Sequence, residues 1–157
     1  MSAVGGWIEA NFTPYGERSA EQFECLRFSD TLIDELHWAN HILLTTPMYN
    51  FSIPATLKSW IDLVCRPGVT FSYDEEGPMG LLTYKSAEII VTTGGVTLGS
   101  EADFVSDYLK QVFAFIGIDE IDIIGADCMN IDAEEGLARA LARIELDEMD
   151  DILPEVA

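Results

Sequence analysis

Ile42-Leu43-Leu44 is a short apolar run that passes through Thr45-Thr46-Pro47-Met48-Tyr49-Asn50-Phe51 into Ser52-Ile53-Pro54. An uninterrupted apolar run of that length marks a parallel strand buried on both faces. Pro54 suits the first helical turn, where a missing N–H leaves no bond unmade. The stretch between them is therefore a loop leaving the carboxyl end of a strand and entering a helix, the place where open α/β sheets bind ligands. Its thioether, phenol, amide and phenyl groups offer flat apolar contact with few polar atoms. That surface suits a planar, partly polar ring better than an ion.

The same reading extends along the chain. Met1 to Arg18 carries Gly5, Gly6, Pro14 and Gly16 without a sustained period and reads as a loop or arm, with Trp7, Ile8 and Phe12 free to pack on a partner. Ser19 and Gln22 form a capping-box pair. The helix they open runs to about His37, with Cys25, Ser29, Leu32 and Leu36 on one stripe and Leu26 and Ile33 beside it. A second helix, Pro54 to about Cys65, turns Leu57, Trp60, Ile61 and Val64 inward and pairs Lys58 with Asp62 outside. Val69 to Tyr73 alternates as a short strand, and Asp74 to Gly80 reads as a turn-rich loop. Ala87 to Thr93 is a second buried strand closed by Gly94-Gly95, and Ile121 to Ala126 a third. Between them Ser100 and Asp103 cap a helix striped by Val105, Leu109, Val112 and Ile116 that stops at Gly117. A last helix, Asp132 to about Ile152, turns Leu137, Leu141 and Ile144 inward, with a solvated acidic end from Glu145 to Asp151. Helices alternating with strands give one α/β domain over residues 1–157 with a parallel sheet.

Composition removes several functions. Twenty-eight acidic residues against 8 basic ones leave a net charge of −20 and no basic stripe to neutralise phosphates, which argues against nucleic acid. No apolar run approaches the ~20 residues of a membrane span, and no signal-peptide pattern opens the chain, so the expectation is a cytoplasmic protein with no membrane partner. Such an acidic surface is either simply solvated or suited to high salt, where screening removes its self-repulsion. Cys25, Cys65 and Cys128 are odd in number and far apart, which points to buried free thiols.

Catalytic groups are scarce. His37 and His41 sit in no nucleophile motif, G-x-S-x-G is absent, and no metal-ligand spacing occurs. Ligand loops without an acid, base or nucleophile suggest that a cofactor supplies the chemistry. Two loops could hold it: Met48 to Phe51, and Thr92-Thr93-Gly94-Gly95 after the second strand. Adjacent parallel strands end on the same side, so the loops are neighbours, and glycine lets backbone approach a flat ligand.

Pro47-Met48-Tyr49-Asn50-Phe51, Leu57-Lys58, Asp62-Leu63-Val64, Gly68-Val69-Thr70-Phe71-x-Tyr73, Gly77-Pro78-x-Gly80-Leu81 and Phe115-Ile116-Gly117 follow one another in this order. Together, over Ser19 to Asp132, they resemble the FMN-dependent NADH azoreductases, flavodoxin-like quinone oxidoreductases. The resemblance implies a flavodoxin-like three-layer sandwich and a homodimer with FMN at its interface. It also implies ping-pong hydride transfer from NADH to a quinone or azo substrate. It places Met48, Tyr49, Asn50 and Phe51 along the flavin ring, Thr92, Thr93, Gly94 and Gly95 in the second flavin loop, and Tyr73 and Phe115 in the substrate pocket. Relatives often carry Ser-Arg-Gly-Gly in that second loop; Thr-Thr here removes a positive side chain from beside the flavin.

In a flavodoxin-like sheet of order 2-1-3-4-5 the three strands match the third to fifth. The expectation is an N-terminally truncated domain, with the phosphate-binding loop upstream and FMN bound poorly by the chain alone. Other readings are a flavodoxin-like electron carrier, an acyl-carrier-protein phosphodiesterase-like hydrolase, and a non-catalytic fragment.

Overall fold

The computed structural model describes the backbone of residues 3–152 and the side chains of residues 6–144. Three strands form one parallel sheet in the order β1-β4-β5: β1 (His41–Pro47), β4 (Ser86–Thr92) and β5 (Glu120–Ala126). Their carboxyl ends align, Pro47 opposite Thr92 and Thr92 opposite Ala126. Two further strands, β2 (Phe71–Asp74) and β3 (Gly77–Gly80), make a separate antiparallel hairpin. The second of these was expected to be loop. Gly77 at φ 130° turns the chain, and the Asp74 carboxylate accepts the N–H groups of Glu76 and Gly77, closing the turn tightly enough for pairing.

Five helices surround the sheet: α1 (Ala3–Phe12), α2 (Ala20–Trp38), α3 (Ala55–Val64), α4 (Ser106–Ile116) and α5 (Ala133–Ile152). Residues 1–18, expected as a loop, contain α1 and a 3-10 turn at Tyr15–Glu17. Gly5 and Gly6 weaken the intrinsic case for a helix. Packing on α2 overrides it, with Ala10 fully buried and Asn11 nearly so. Arg66, only 1% exposed, ties these pieces together: its guanidinium donates to Asn11, Ser29 and Asp30. A charge so buried is tolerable because Nε and Nη1 meet acceptors, one of them the Asp30 carboxylate.

The helix boundaries follow the capping chemistry. Ser19 and Gln22 form the reciprocal capping box at the start of α2. At α4, which starts at Ser106 and not at Ser100, it is Asp103 that accepts the N–H groups of Val105 and Ser106, and Gly117 ends that helix in the left-handed conformation at φ 102°. The faces were less legible. In α2 the buried residues are Leu26, Ser29, Ile33 and Leu36, while Cys25 is exposed. In α5, Ala140 is buried, Ile144 packs partly, and Leu137 and Leu141 are about half exposed. The acidic end of α5, Glu145 to Asp151, lies outside the described side chains.

Alternation along the strands sorts the core into two layers. Ala87, Ile89 and Val91 of β4 face Ile33, Leu36, Ile61, Val64, Leu109 and Phe113 of α2, α3 and α4. Ile90 and Ile124 face Ala140 and Ile144 of α5. Helices on both faces of a parallel sheet make a three-layer α/β architecture. Leu43, expected to be buried, is 61% exposed. It lies on edge strand β1, while α5 packs on β5 at the opposite edge.

Candidate functional site

The two sequence-identified loops meet at the carboxyl end of the sheet. The Met48 N–H donates to the Thr92 carbonyl at 2.7 Å, extending the β1–β4 pairing by one residue into the loops. Tyr49 and Ser52 then exchange backbone bonds, N–H to carbonyl at 2.8 and 3.1 Å, and close a turn with Asn50 at φ 49° and Phe51 at φ 71° between them. Positive φ at both central residues is the type I′ pattern. Asparagine tolerates it; phenylalanine rarely adopts it, and such strain persists where surrounding structure enforces it and often at ligand-binding loops. The turn leaves Met48 as a nearly buried floor and holds Tyr49 and Phe51 outward, 62% and 54% exposed.

The second loop is fastened from behind by the β5–α5 loop. Thr93 is 3% exposed. Its N–H donates to the Ala126 carbonyl at 3.2 Å, its carbonyl accepts from the Met129 N–H at 3.0 Å, and its hydroxyl accepts from the Cys128 N–H at 3.0 Å while donating to the Val96 carbonyl. The Gly94 carbonyl accepts from the Asn130 N–H at 2.7 Å, and a Cβ on Gly94 would stand 2.6 Å from the Asn130 amide nitrogen. Gly95 has open space around it and Thr92 is exposed. Thr93 thus shapes the loop from inside, and the outward surface belongs to Thr92 and the backbone of Gly94 and Gly95.

The pocket residues Tyr73 and Phe115 stand together but elsewhere. Phe71 bridges them, its ring centroid 4.3 Å from that of Phe115 and 5.6 Å edge-on from that of Tyr73. Phe115 lies in the last turn of α4, which runs back from the carboxyl end of the sheet to its amino end. Eleven residues of helix span about 16 Å. Within one chain, the Phe115–Tyr73 group and the two loops are therefore at opposite ends of the sheet.

Cys65, between α3 and the hairpin, is not a nucleophile: burial, with the Asp62 charge adding to it, pushes its thiol up to about 11 despite the opposing Lys58 charge. Among the described residues no three His, Cys, Asp or Glu side chains cluster closely enough to hold a metal ion, and no helix is long and apolar enough to cross a membrane. The site is a strained aromatic turn beside a glycine loop at the carboxyl end of the sheet. An element of the kind that grips a phosphate at the first strand of a flavodoxin-like sheet has no counterpart among the described residues, whose sheet is β1-β4-β5.

Sequence reasoning missed the residues that fix the second loop, Asp127 to Asn130. Asp127 accepts the Leu98 N–H at 3.0 Å and the Arg139 guanidinium at 2.7 Å. The only sequence signal was a single carboxylate, Asp127, directly after the third strand.

Residues 6–146 match the family described as having the flavodoxin-like fold. The chain is 48% identical over 139 residues to FMN-dependent NADH:quinone oxidoreductase 1 of Colwellia psychrerythraea, covering 88% of this chain and 72% of that protein. It is 48% identical over 138 residues to the protein of the same name from Hahella chejuensis, covering 88% and 68%. Among solved structures, azoreductase AzrA superposes with a TM-score of 0.79 at 25% identity, covering 88% of this chain and 71% of that one. An FMN-dependent NADH-azoreductase from Bacillus anthracis in complex with FMN superposes at 0.78 and 24% identity, covering 94% and 72%, a likeness of fold. The order β1-β4-β5, the loops at its carboxyl end and the match over residues 6–146 agree: this chain belongs to the flavodoxin-like fold family.

Proposed function

We propose that the chain functions as an FMN-dependent NADH:quinone oxidoreductase that also reduces azo compounds, working in the cytoplasm as a homodimer. The observation that carries this reading is the Asn50–Phe51 turn standing beside the Gly94-Gly95 loop at one end of the sheet. The Colwellia psychrerythraea and Hahella chejuensis relatives, each 48% identical, bear the oxidoreductase name. No observation favours the electron-carrier or hydrolase alternatives over it.

Bound FMN would supply the hydride chemistry between NADH and the acceptor. The chain's own residues bind and orient. Met48 forms the floor, Tyr49 and Phe51 present flat faces, and the Asn50 amide with Thr92 and the Gly94-Gly95 backbone faces polar ring edges, while Thr93 holds the loop from inside. Thr92 and Thr93 bring no cation, so the charge at that edge comes from backbone dipoles. Tyr73 and Phe115 cannot reach this cradle in their own chain, and a second copy would bring them to it as an apolar wall that excludes water from the acceptor site. The exposure of Tyr73, Met79 and Leu81 on the hairpin supports that contact, since large exposed apolar patches mark interaction surfaces.

The test is NADH oxidation coupled to a benzoquinone or an azo dye, assayed with FMN in excess, together with the molar mass by light scattering. Quinone-dependent NADH consumption by a dimer is expected. No flavin binding and no turnover at saturating FMN would refute the oxidoreductase reading, and a monomer that turns over would refute the shared pocket.

A further inference from the structure

The far end of the second loop is fixed differently from its start. Thr93 and Gly94 are held by backbone groups of Cys128, Met129 and Asn130. Leu98 is held by a side chain: Asp127 Oδ2 accepts its N–H at 3.0 Å. The Leu98 side chain lies over Gly125, where a Cβ would stand 2.7 Å from Leu98 Cδ1. Asp127 Oδ1 in turn accepts the Arg139 guanidinium at 2.7 Å, and Arg139 also meets Glu135 at 2.9 Å one turn earlier on α5. The Asp127 side chain is 10% exposed and touches neither of the outward loop surfaces. Burial resists its ionisation, but the Arg139 and Leu98 bonds outweigh burial and hold the carboxyl below the usual carboxylate range. A buried carboxylate that the proposed chemistry does not use thus joins the end of the cofactor loop to a helix on the other face of the sheet.

We propose that Asp127 is a positioning residue for the Thr92 to Gly95 cofactor loop, setting where Gly95 stands by latching Leu98 to α5 through Arg139. This rests on the flavin reading above. The bonds of Thr93 and Gly94 define one end of the segment, and the latch defines the other. Between them lie Gly95, with open space around it, Val96, whose carbonyl accepts the Thr93 hydroxyl, and Thr97, whose hydroxyl stands 3.4 Å from Cys128 Sγ. Release of Leu98 leaves only those two side-chain contacts to hold the segment beyond Gly94, so the Gly95 backbone loosens beside a bound ring while β4 and β5 stay paired.

Lumiflavin, a flavin ring with no phosphate, reads the cradle alone. Titrated by fluorescence quenching, Asp127→Asn should weaken lumiflavin and FMN by about tenfold and blur the visible band shape of the bound ring. Arg139→Gln should do the same, and the double variant should be no worse than Asp127→Asn alone. Amide exchange at Gly95 and Leu98 should quicken by about tenfold with β4 unchanged, and Asp127→Glu should recover most of the affinity. Flavin binding and band shape within about twofold of wild type in Asp127→Asn would overturn the positioning role. Equal acceleration of exchange throughout β4 and β5 would overturn it too, showing general destabilisation. Wild type that binds neither lumiflavin nor FMN would bring down the flavin reading itself, and the positioning role with it.

Discussion

At the scale of the residue, Asn50 and Phe51 show how a backbone conformation turns an aromatic side chain outward. Both sit at positive φ, and the Tyr49–Ser52 bonds hold them there. Asn50→Gly should leave the melting temperature nearly unchanged, since glycine accepts that conformation. Asn50→Val should cost about 1–3 kcal/mol, because a β-branched residue does not. Equal urea midpoints for the two variants would show that the turn is unstrained. Asp103 and Asp127 make a prediction about pH. For both carboxyls burial acts to raise the pKa and hydrogen bonds overcome it, from Gly99, Val105 and Ser106 for one and from Arg139 and Leu98 for the other, leaving both below the ordinary value. A lowered folded pKa means that the unfolded chain binds more protons as pH drops. Their stabilisation is complete above the unfolded value of about 4 and is lost as pH falls through the folded pKa. The stability gap between wild type and Asp127→Asn should hold constant from pH 7 to about 5 and shrink below about 4. A gap independent of pH in urea titrations would contradict the assignment.

At the scale of the element, close backbone approach decides where the β2–β3 hairpin sits. A Cβ on Gly80 would overlap the backbone of Gly117, and the Leu82 N–H donates to the Ile116 carbonyl at 2.9 Å. The hairpin is thereby pressed onto the end of α4, which is why Phe71, Tyr73 and Phe115 form one aromatic group. Gly80→Ala should cost about 3 kcal/mol or more and separate the hairpin from α4. Quinone turnover should then fall while flavin binding, at the other end of the sheet, persists. Loss of both together would show that hairpin and cofactor loops are not independent. The same close approach recurs at Gly136, where a Cβ would stand 2.5 Å from the Asp127 carbonyl, letting α5 lie against the loop it helps to latch.

At the scale of the whole molecule, a net charge of −20 on 157 residues makes self-repulsion a term in stability. The described ion pairs are mostly exposed, as in Arg27–Glu24 and Lys58–Asp62, and contribute little. Screening should therefore help more than it harms. The urea midpoint should rise from low salt to molar potassium chloride, and a flat or falling curve would show that the acidic surface is merely solvated. Leu43 on edge strand β1 is the other molecular feature, an exposed apolar side chain beside an edge whose neighbour on one side only, β4, is among the described strands. Such an edge invites pairing with another strand.

The sequence by itself determined what local chemistry controls. Three strands, the capping box at Ser19, the stop at Gly117 and the two loops at the carboxyl ends of β1 and β4 follow from apolar runs, caps and punctuation, which act over a few residues. Tertiary structure decided what depends on partners distant in the chain. The α1 helix exists because α2 and Arg66 receive it, Thr93 turns inward because Cys128 and Met129 meet it, and Leu43 is bare because α5 covers the other edge of the sheet. The distance between the cofactor loops and the Tyr73–Phe115 group belongs to the same class. The family resemblance gives both as parts of one site, and only the direction of α4 back along the sheet places them at opposite ends of a single chain.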